Sequence, residues 1–199
     1  KVTLCFEVAG AVLSFICFSK RYDPLKALGV SVFHSIAAFN NSGFDNMGNF
    51  QNLIPYKDDV LLNMTTCGLI IFGGLGFLVI VDILKKRSFR KLAFHSKAVI
   101  VTTIVLLTSG TLLIQLTEDI TWMGAFFTSV SARTAGFSTF SLSDFTNAGL
   151  LAVAVLMFMG ASPGSTGGGI KTSTVFTLFH FIKGAATNHP AGAFHYRIS

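Results

Sequence analysis

The chain has 199 residues, of which 51% are hydrophobic and only 12% charged, with 21 phenylalanines and a mean hydropathy of +0.65. An ordinary soluble domain carries about 25% charged residues, so this composition belongs in a lipid bilayer. The net charge of +6 does not point to nucleic acid: the basic residues concentrate in KKRSFRK at 85–91 rather than in a basic stripe with interleaved aromatics, and the positive-inside rule explains that placement.

A helix needs about 20 apolar residues to cross the hydrocarbon. Residues 2–18 read as a first span, entered directly from Lys1, so the sequence is read as a piece of a longer protein. Asp23 and Pro24 mark a helix start, but the helix they open, 24–39, is too short to cross and is expected to be re-entrant. Asp58 and Asp59 precede a full span at 60–84, within which FGGLGFL (72–78) is expected to stay helical and pack through its glycines. A span at 98–116 follows the basic connector. Thr117, Glu118 and Asp119 are expected to cap a second short helix, 118–132, and Ser143-Asp144 to start a last apolar segment, 147–182. Cys5, Cys17 and Cys67 lie in apolar runs and read as small buried hydrophobes. The glycosylation-like tripeptides NNS at 40 and NMT at 63 are discounted, the second because it lies in an apolar run.

Those elements form a repeat. FHSIAAFNNSGFDNMGNF (33–50) aligns without gaps on FFTSVSARTAGFSTFSLS (126–143), placing Gly43-Phe44 on Gly136-Phe137 at an offset of 93. The repeated unit is span, short helix, Gly-Phe loop, span, with boundaries at 1–91 and 92–199. With Lys85, Lys86, Arg87, Arg90, Lys91 and Lys97 on the cytoplasmic side, both Gly-Phe loops face outward.

A short helix that enters a membrane and returns as a loop leaves backbone carbonyls that must line water or bind something. A desolvated cation is their natural ligand, since carbonyl oxygens can replace its hydration shell. Thr134, Ala135, Gly136 and Phe137 look like a degenerate potassium-filter sequence, and Asn41, Ser42, Gly43 and Phe44 hold the equivalent places. The glycines permit the dihedrals that align carbonyls, so a K+ ion is expected at Gly43 and Gly136.

GASPGSTGGGIKTST (160–174) almost spells a nucleotide-binding loop, but Ile170 stands where the lysine is required and Lys171 comes one residue late. The loop also interrupts apolar runs instead of following a short strand. Residues 160–169 (Gly160, Ala161, Ser162, Pro163, Gly164, Ser165, Thr166, Gly167, Gly168 and Gly169) are half glycine and propagate a helix poorly. A flexible cytoplasmic connector would leave the two apolar flanks to be explained separately.

Together NNSGFDN, ARTAGF and GASPGSTGGGIKTST resemble the Trk/Ktr/HKT superfamily of potassium transporters, most closely the ion-translocating membrane subunit of the bacterial Ktr system. The resemblance implies an all-α membrane protein of span, re-entrant pore loop, span units, matching the second and third of four repeats around one pore. It further implies potassium uptake, with sodium left open, through a gated pore in a bacterial plasma membrane, with 160–169 as the intramembrane gate. The implied partners are a second membrane subunit, forming a homodimer, and a cytoplasmic nucleotide-binding ring; no cofactor beyond the transported ion and no nucleic acid are implied.

Two other classes compete. A secondary cation carrier with alternating access usually has inverted repeats, whereas these two run in the same orientation; an energy-coupled membrane enzyme should show acid pairs or a nucleotide motif, and neither is present. Arg133, next to Thr134, would repel cations if it faced the pore, so it is expected to brace the filter from behind, against Asp45 or Asp144. Lys171 is open between a cavity plug and an anchor for an anionic partner, and Glu7 between an ion-pathway or structural role and a position at the membrane surface. Asp82 reads as a surface ion-pair partner of Lys85 and Lys86, and His180, His189 and His195 as interfacial.

Overall fold

The computed structural model describes residues 2–48, 51–187, 192–194 and 196–197. Helices α1 (Val2–Phe18) and α2 (Pro24–Phe39) lead through a loop and a 3-10 turn at Ile54–Tyr56 into α3 (Val60–Leu75) and α4 (Phe77–Lys86). The order then recurs: α5 (Phe94–Thr117), α6 (Trp122–Ala132), a loop with a 3-10 turn at Leu142–Asp144, α7 (Asn147–Phe158) and α8 (Thr172–Thr187). Among the described residues, a two-residue antiparallel pair, β1 (Gly192–Ala193) with β2 (Tyr196–Arg197), and an isolated parallel bridge between Met159 and Ile170 accompany the helices.

Among the described residues α5 alone is long and apolar enough to cross a membrane unaided; α1, α2 and α7 are shorter apolar helices. The stretch expected as one span at 60–84 is instead two helices bent by 96°. The break is at Gly76, whose φ of 83° and ψ of 156° are essentially reserved for glycine. FGGLGFL is therefore a corner and not a continuous helix.

Helix starts follow capping chemistry, with some partners misassigned by sequence. Asp59 caps α3 by accepting the Leu62 N–H at 3.0 Å, as its position before the span suggests. Asp23 precedes α2, with Pro24 in the first turn, but makes no side-chain capping bond. α6 begins at Trp122, four residues later than expected, capped by Thr121 through the Gly124 N–H. Glu118 is instead turned toward α7: its carboxylate accepts the Thr146 hydroxyl at 2.7 Å and the Thr146 N–H at 3.0 Å. Thr146 in turn caps α7, in place of Ser143-Asp144. Asn63 is 1% exposed and donates to the Tyr56, Lys57 and Asp59 carbonyls, so it pins the turn before α3 and is closed to glycosylation. Cys17 and Cys67 are buried but Cys5 is exposed, because its side of α1 has no neighbour within the described residues.

The two halves share a packing device. Ser35 on α2 donates to the Glu7 carbonyl of α1 at 2.7 Å, and Ser129 on α6 donates to the Leu107 carbonyl of α5 at 3.1 Å. Three residues further along each long helix stands a glycine, Gly10 or Gly110, against that same serine. A Cβ at Gly10 would collide with Ser35 Oγ and lie 2.7 Å from Leu69, and one at Gly110 would lie 2.5 Å from Ser129 Oγ and 2.9 Å from Leu156. Small residues thus let each short helix sit close against its first long helix. Gly110→Leu is expected to destabilise the fold by about 1–3 kcal/mol, the usual cost of overpacking. Thermal unfolding in detergent should show it, with Gly110→Ala losing less.

Candidate functional site

The two Gly-Phe loops meet. A Cβ on Gly43 would lie 2.7 Å from the Ala135 carbonyl oxygen and 2.9 Å from Gly136 Cα, and one on Gly136 would lie 3.3 Å from Gly43 Cα. The repeat extends to the dihedrals: Asn41 and Thr134 have φ of 51° and 71°, and Gly43 and Gly136 have 71° and 83°. Both pairs are spaced by the sequence offset of 93. The two loops thus share the same alternation of left-handed residues with others, at positions equivalent in the repeat. Asparagine tolerates that conformation. A β-branched threonine resists it, a strain of about 1–3 kcal/mol that marks functional loops.

The loops differ in their phenylalanines. Phe44 is 69% exposed, whereas Phe137 is buried and its ring stands edge-on to His34 at 5.2 Å. His34, buried on α2, bonds Thr66 Oγ1 at 2.9 Å, and because the Thr66 hydroxyl donates to the Leu62 carbonyl, His34 Nε2 is the donor. The His34 ring of the first repeat thus backs the second loop. The Phe137 carbonyl accepts the Ser131 hydroxyl at 2.5 Å, which leaves Thr134, Ala135 and Gly136 as the less constrained carbonyls. Ser42 and Gly136 are exposed beside a cavity of about 560 Å³, whose wall includes the hydroxyls of Thr128, Thr134, Ser138 and Ser141.

The stretch 51–56 crosses from the first loop to the second. The Leu53 N–H donates to the Ser138 carbonyl at 3.1 Å, and the Asn52 side chain reaches both loops. Tyr56 anchors this stretch with the Arg21 guanidinium 4.5 Å from its ring. Burial pushes its phenol up to about 12, so it remains neutral. Asn52 lies outside the repeated segment 33–50 and His34 inside it without being singled out there; their separation from Gly43, nine residues on either side, is the signal that could have drawn attention to them.

Directly against the loops lies the glycine-rich segment. It closes into a narrow turn: Gly160 N–H donates to the Ile170 carbonyl at 3.0 Å, Ile170 N–H to Phe158 at 3.2 Å and Ala161 N–H to Gly168 at 3.2 Å. A Cβ at Gly160 would collide with the Gly168 carbonyl. The turn docks on the corner at Gly76. Ser162 N–H donates to the Gly74 carbonyl at 3.0 Å, Ser162 Oγ to Leu75 at 2.5 Å and Thr166 N–H to Gly73 at 3.5 Å, while Phe77 N–H donates to the Gly164 carbonyl at 3.4 Å. The carbonyls that α3 leaves open at its end, and the first N–H of α4, are satisfied by this segment.

The same segment bonds the underside of both Gly-Phe loops at equivalent residues. Asn41 Nδ2 donates to Thr166 Oγ1 at 2.8 Å, and Gly168 N–H donates to Thr134 Oγ1 at 3.1 Å. Arg133 is buried, and its partner is neither Asp45 nor Asp144. Its guanidinium donates to the Gly160 carbonyl at 3.2 Å and is buried beside Asn41, Thr103 and Ala161, because the chain turns Arg133 inward while Asp45 accepts from Met47 and Asp144 sits in the outer 3-10 turn. Lys171 Nζ donates to the Gly167 carbonyl at 2.6 Å, tying the segment to the start of α8. Glu7 is half-buried, its carboxylate accepting Asn40 Nδ2 at 3.4 Å. Asp82 pairs with Lys86 at 2.8 Å. His180 bonds the Phe176 carbonyl at 2.9 Å, and His189 and His195 lie outside the described residues.

The family model for TrkH, described as cation transport protein, matches residues 1–121 and 99–193. The chain belongs to the TrkH cation transport protein family. It is 40% identical over 197 residues to the Ktr system potassium uptake protein B of Vibrio alginolyticus, covering 90% of this chain and 43% of that protein. It is 36% identical over 189 residues to the potassium/sodium uptake protein NtpJ of Enterococcus hirae, covering 89% of this chain and 42% of that one. The crystal structure of the potassium transporter TrkH from Vibrio parahaemolyticus superposes with a TM-score of 0.70 at 20% identity, over 98% of this chain and 42% of that one. This TrkH-family chain therefore has the fold of a multi-pass bacterial membrane transporter, and it spans less than half the length of the relatives it matches.

The docking of the glycine-rich segment is testable without transport. Ser162→Ala removes the bond to the Leu75 carbonyl, and one neutral hydrogen bond is worth about 1 kcal/mol. Deuterium exchange at the amides of 162 and 166 should therefore quicken about fivefold, with exchange in the interior of α5 unchanged.

Proposed function

We propose that the full-length protein takes up potassium through a gated, channel-like pore, and that this chain supplies its second and third span-loop-span repeats, at 1–91 and 92–199. The observation that carries the reading is the paired left-handed backbone at Asn41/Thr134 and Gly43/Gly136 in two loops that face each other. Asn41, Ser42, Gly43 and Phe44 form one filter strand and Thr134, Ala135, Gly136 and Phe137 the other. K+ is the ion expected at Gly43 and Gly136, supported by the potassium uptake named for the Vibrio relative; the potassium/sodium name of the Enterococcus relative keeps Na+ as an accompanying substrate.

Residues 160–169 act as the gate. They lie against both filter loops and are held largely by backbone hydrogen bonds rather than apolar contacts. Arg133 supports the arrangement from behind and keeps its charge on the Gly160 carbonyl, off the ion path. Transport needs no chemistry on the substrate. The lipid bilayer, a second copy of the membrane subunit and a cytoplasmic nucleotide-binding ring are the partners, supported by the Ktr resemblance.

Gly136→Ser in the full-length protein is expected to change potassium-over-sodium preference by more than it changes expression, because carbonyl direction is lost while the scaffold stays. Unaltered selectivity in flux assays would remove the filter assignment. Deleting residues 161–168 should raise potassium flux and make it less dependent on the cytoplasmic regulator; loss of flux in a deletion variant that still folds counts against the gate.

A further inference from the structure

Asn52 lies on the return stretch between the first Gly-Phe loop and α3. Its backbone is left-handed, with φ of 49°, and its side chain touches both loops at once. Nδ2 donates to the Gly43 carbonyl at 3.4 Å, while Oδ1 accepts the Ser138 N–H at 3.2 Å and the Leu53 N–H at 2.9 Å. Leu53 is fully buried and gives its N–H also to the Ser138 carbonyl at 3.1 Å, so the position of residue 52 is fixed from the next residue along.

We propose that Asn52 is a specificity-determining positioning residue: by donating to the Gly43 carbonyl and accepting from Ser138, it sets the direction of that carbonyl relative to the second loop. The proposal rests on the reading of the two glycine loops as the cation filter. Glycine has no side chain to hold its peptide plane, so the Gly43 carbonyl keeps one direction only if a neighbour holds it. Discrimination between cations by carbonyl oxygens depends on how many ligands face the ion and how firmly they are held. A carbonyl has two lone pairs, so the Asn52 bond leaves one for an ion. A carboxamide combines the donor and acceptor this bridge uses; aspartate keeps the acceptor and loses the donor, and alanine loses both. Attachment of the stretch to the second loop does not need the Gly43 bond, because the Leu53 and Ser138 backbone groups provide it.

The test compares Asn52→Asp and Asn52→Ala with Gly136→Ser in the reconstituted full-length protein. Ionic strength is kept the same for all variants, so that solvent screening does not differ between them, and the uncharged Asn52→Ala separates loss of the donor from the added charge of the aspartate. In both Asn52 variants the potassium-over-sodium preference should fall about fivefold, the equivalent of one neutral hydrogen bond. KM for potassium should rise by a larger factor than maximal flux falls. If Gly136→Ser changes selectivity while Asn52→Asp leaves KM and preference unchanged, Asn52 is not a positioning residue. Flux lost only in proportion to folded protein, at unchanged KM and preference, overturns the proposal in the same way. If Gly136→Ser is itself without effect, the filter reading fails and the Asn52 proposal falls with it. Should Asn52→Ala fail to insert, Asn52→Asp decides alone, since it keeps the Ser138 and Leu53 bonds.

Discussion

The constraint on which this structure depends is that a helix ending within the fold leaves its last backbone carbonyls without intrahelical partners, and buried carbonyls must find others. α3 ends at Leu75 and the chain turns by 96° at Gly76, which opens the carbonyls of Gly73, Gly74 and Leu75. The segment 160–169 has the complementary problem of donors without a helix to join. The two defects answer each other through Ser162, Thr166 and the Gly164 carbonyl. Each supplies the hydrogen-bond partners the other lacks, so the corner in one repeat and the loop in the other form one unit. A Cβ at Gly76 would stand 3.0 Å from both Ser162 Oγ and the Gly164 carbonyl, so the glycine serves the corner's conformation and the close approach together.

From that unit the rest is arranged by small residues at equivalent crossings. Gly10 with Ser35 and Gly110 with Ser129 let the short helices lean on α1 and α5. The lean carries the C-terminal ends of α2 and α6 toward each other, and the loops that leave them meet at Gly43 and Gly136. The loops keep the sequence offset of 93, while the serines are displaced by 94. The second short helix therefore reaches its loop in one residue fewer, and its last turn tightens through the Thr134 N–H to Ala132 carbonyl bond at 2.8 Å.

Much of this was legible in the sequence because it depends on local chemistry. The helical character of the apolar runs, the cap at Asp59, the paired Gly-Phe loops and the glycine-rich interruption each follow from residue type and spacing, whereas the unbroken span at 60–84 does not survive. What was not legible required knowing which distant group would be nearby. Asp144 and Asp45 were reasonable partners for a buried arginine, but a backbone carbonyl carries no signature in sequence, and Arg133 found Gly160. FGGLGFL reads as a glycine-packed helix because nothing local breaks it; the break exists because a segment 87 residues further on supplies the donors. Glu118 reads as part of the start of the helix that follows it, whereas its carboxylate holds Thr146, the residue that caps α7, since an acidic residue at a turn serves whichever helix start the turn brings within reach.

The two Gly-Phe loops and the glycine-rich segment also share hydrogen bonds, and this limits how independently they can move. Asn41 and Thr134, related by the repeat, each hold the segment from above through Thr166 and Gly168, and Thr166 donates in addition to the Phe39 carbonyl at the end of α2. Any displacement of 166–168 strips partners from both loops at corresponding positions. A left-handed threonine retains its strained backbone only while its surroundings over-determine it, and the Gly168 N–H is one of those determinants. The equilibrium of the segment and the conformation of the loops are thus linked, and linkage is reciprocal: whatever stabilises the left-handed backbone at Asn41 and Thr134 also changes the free energy of moving the segment beneath it.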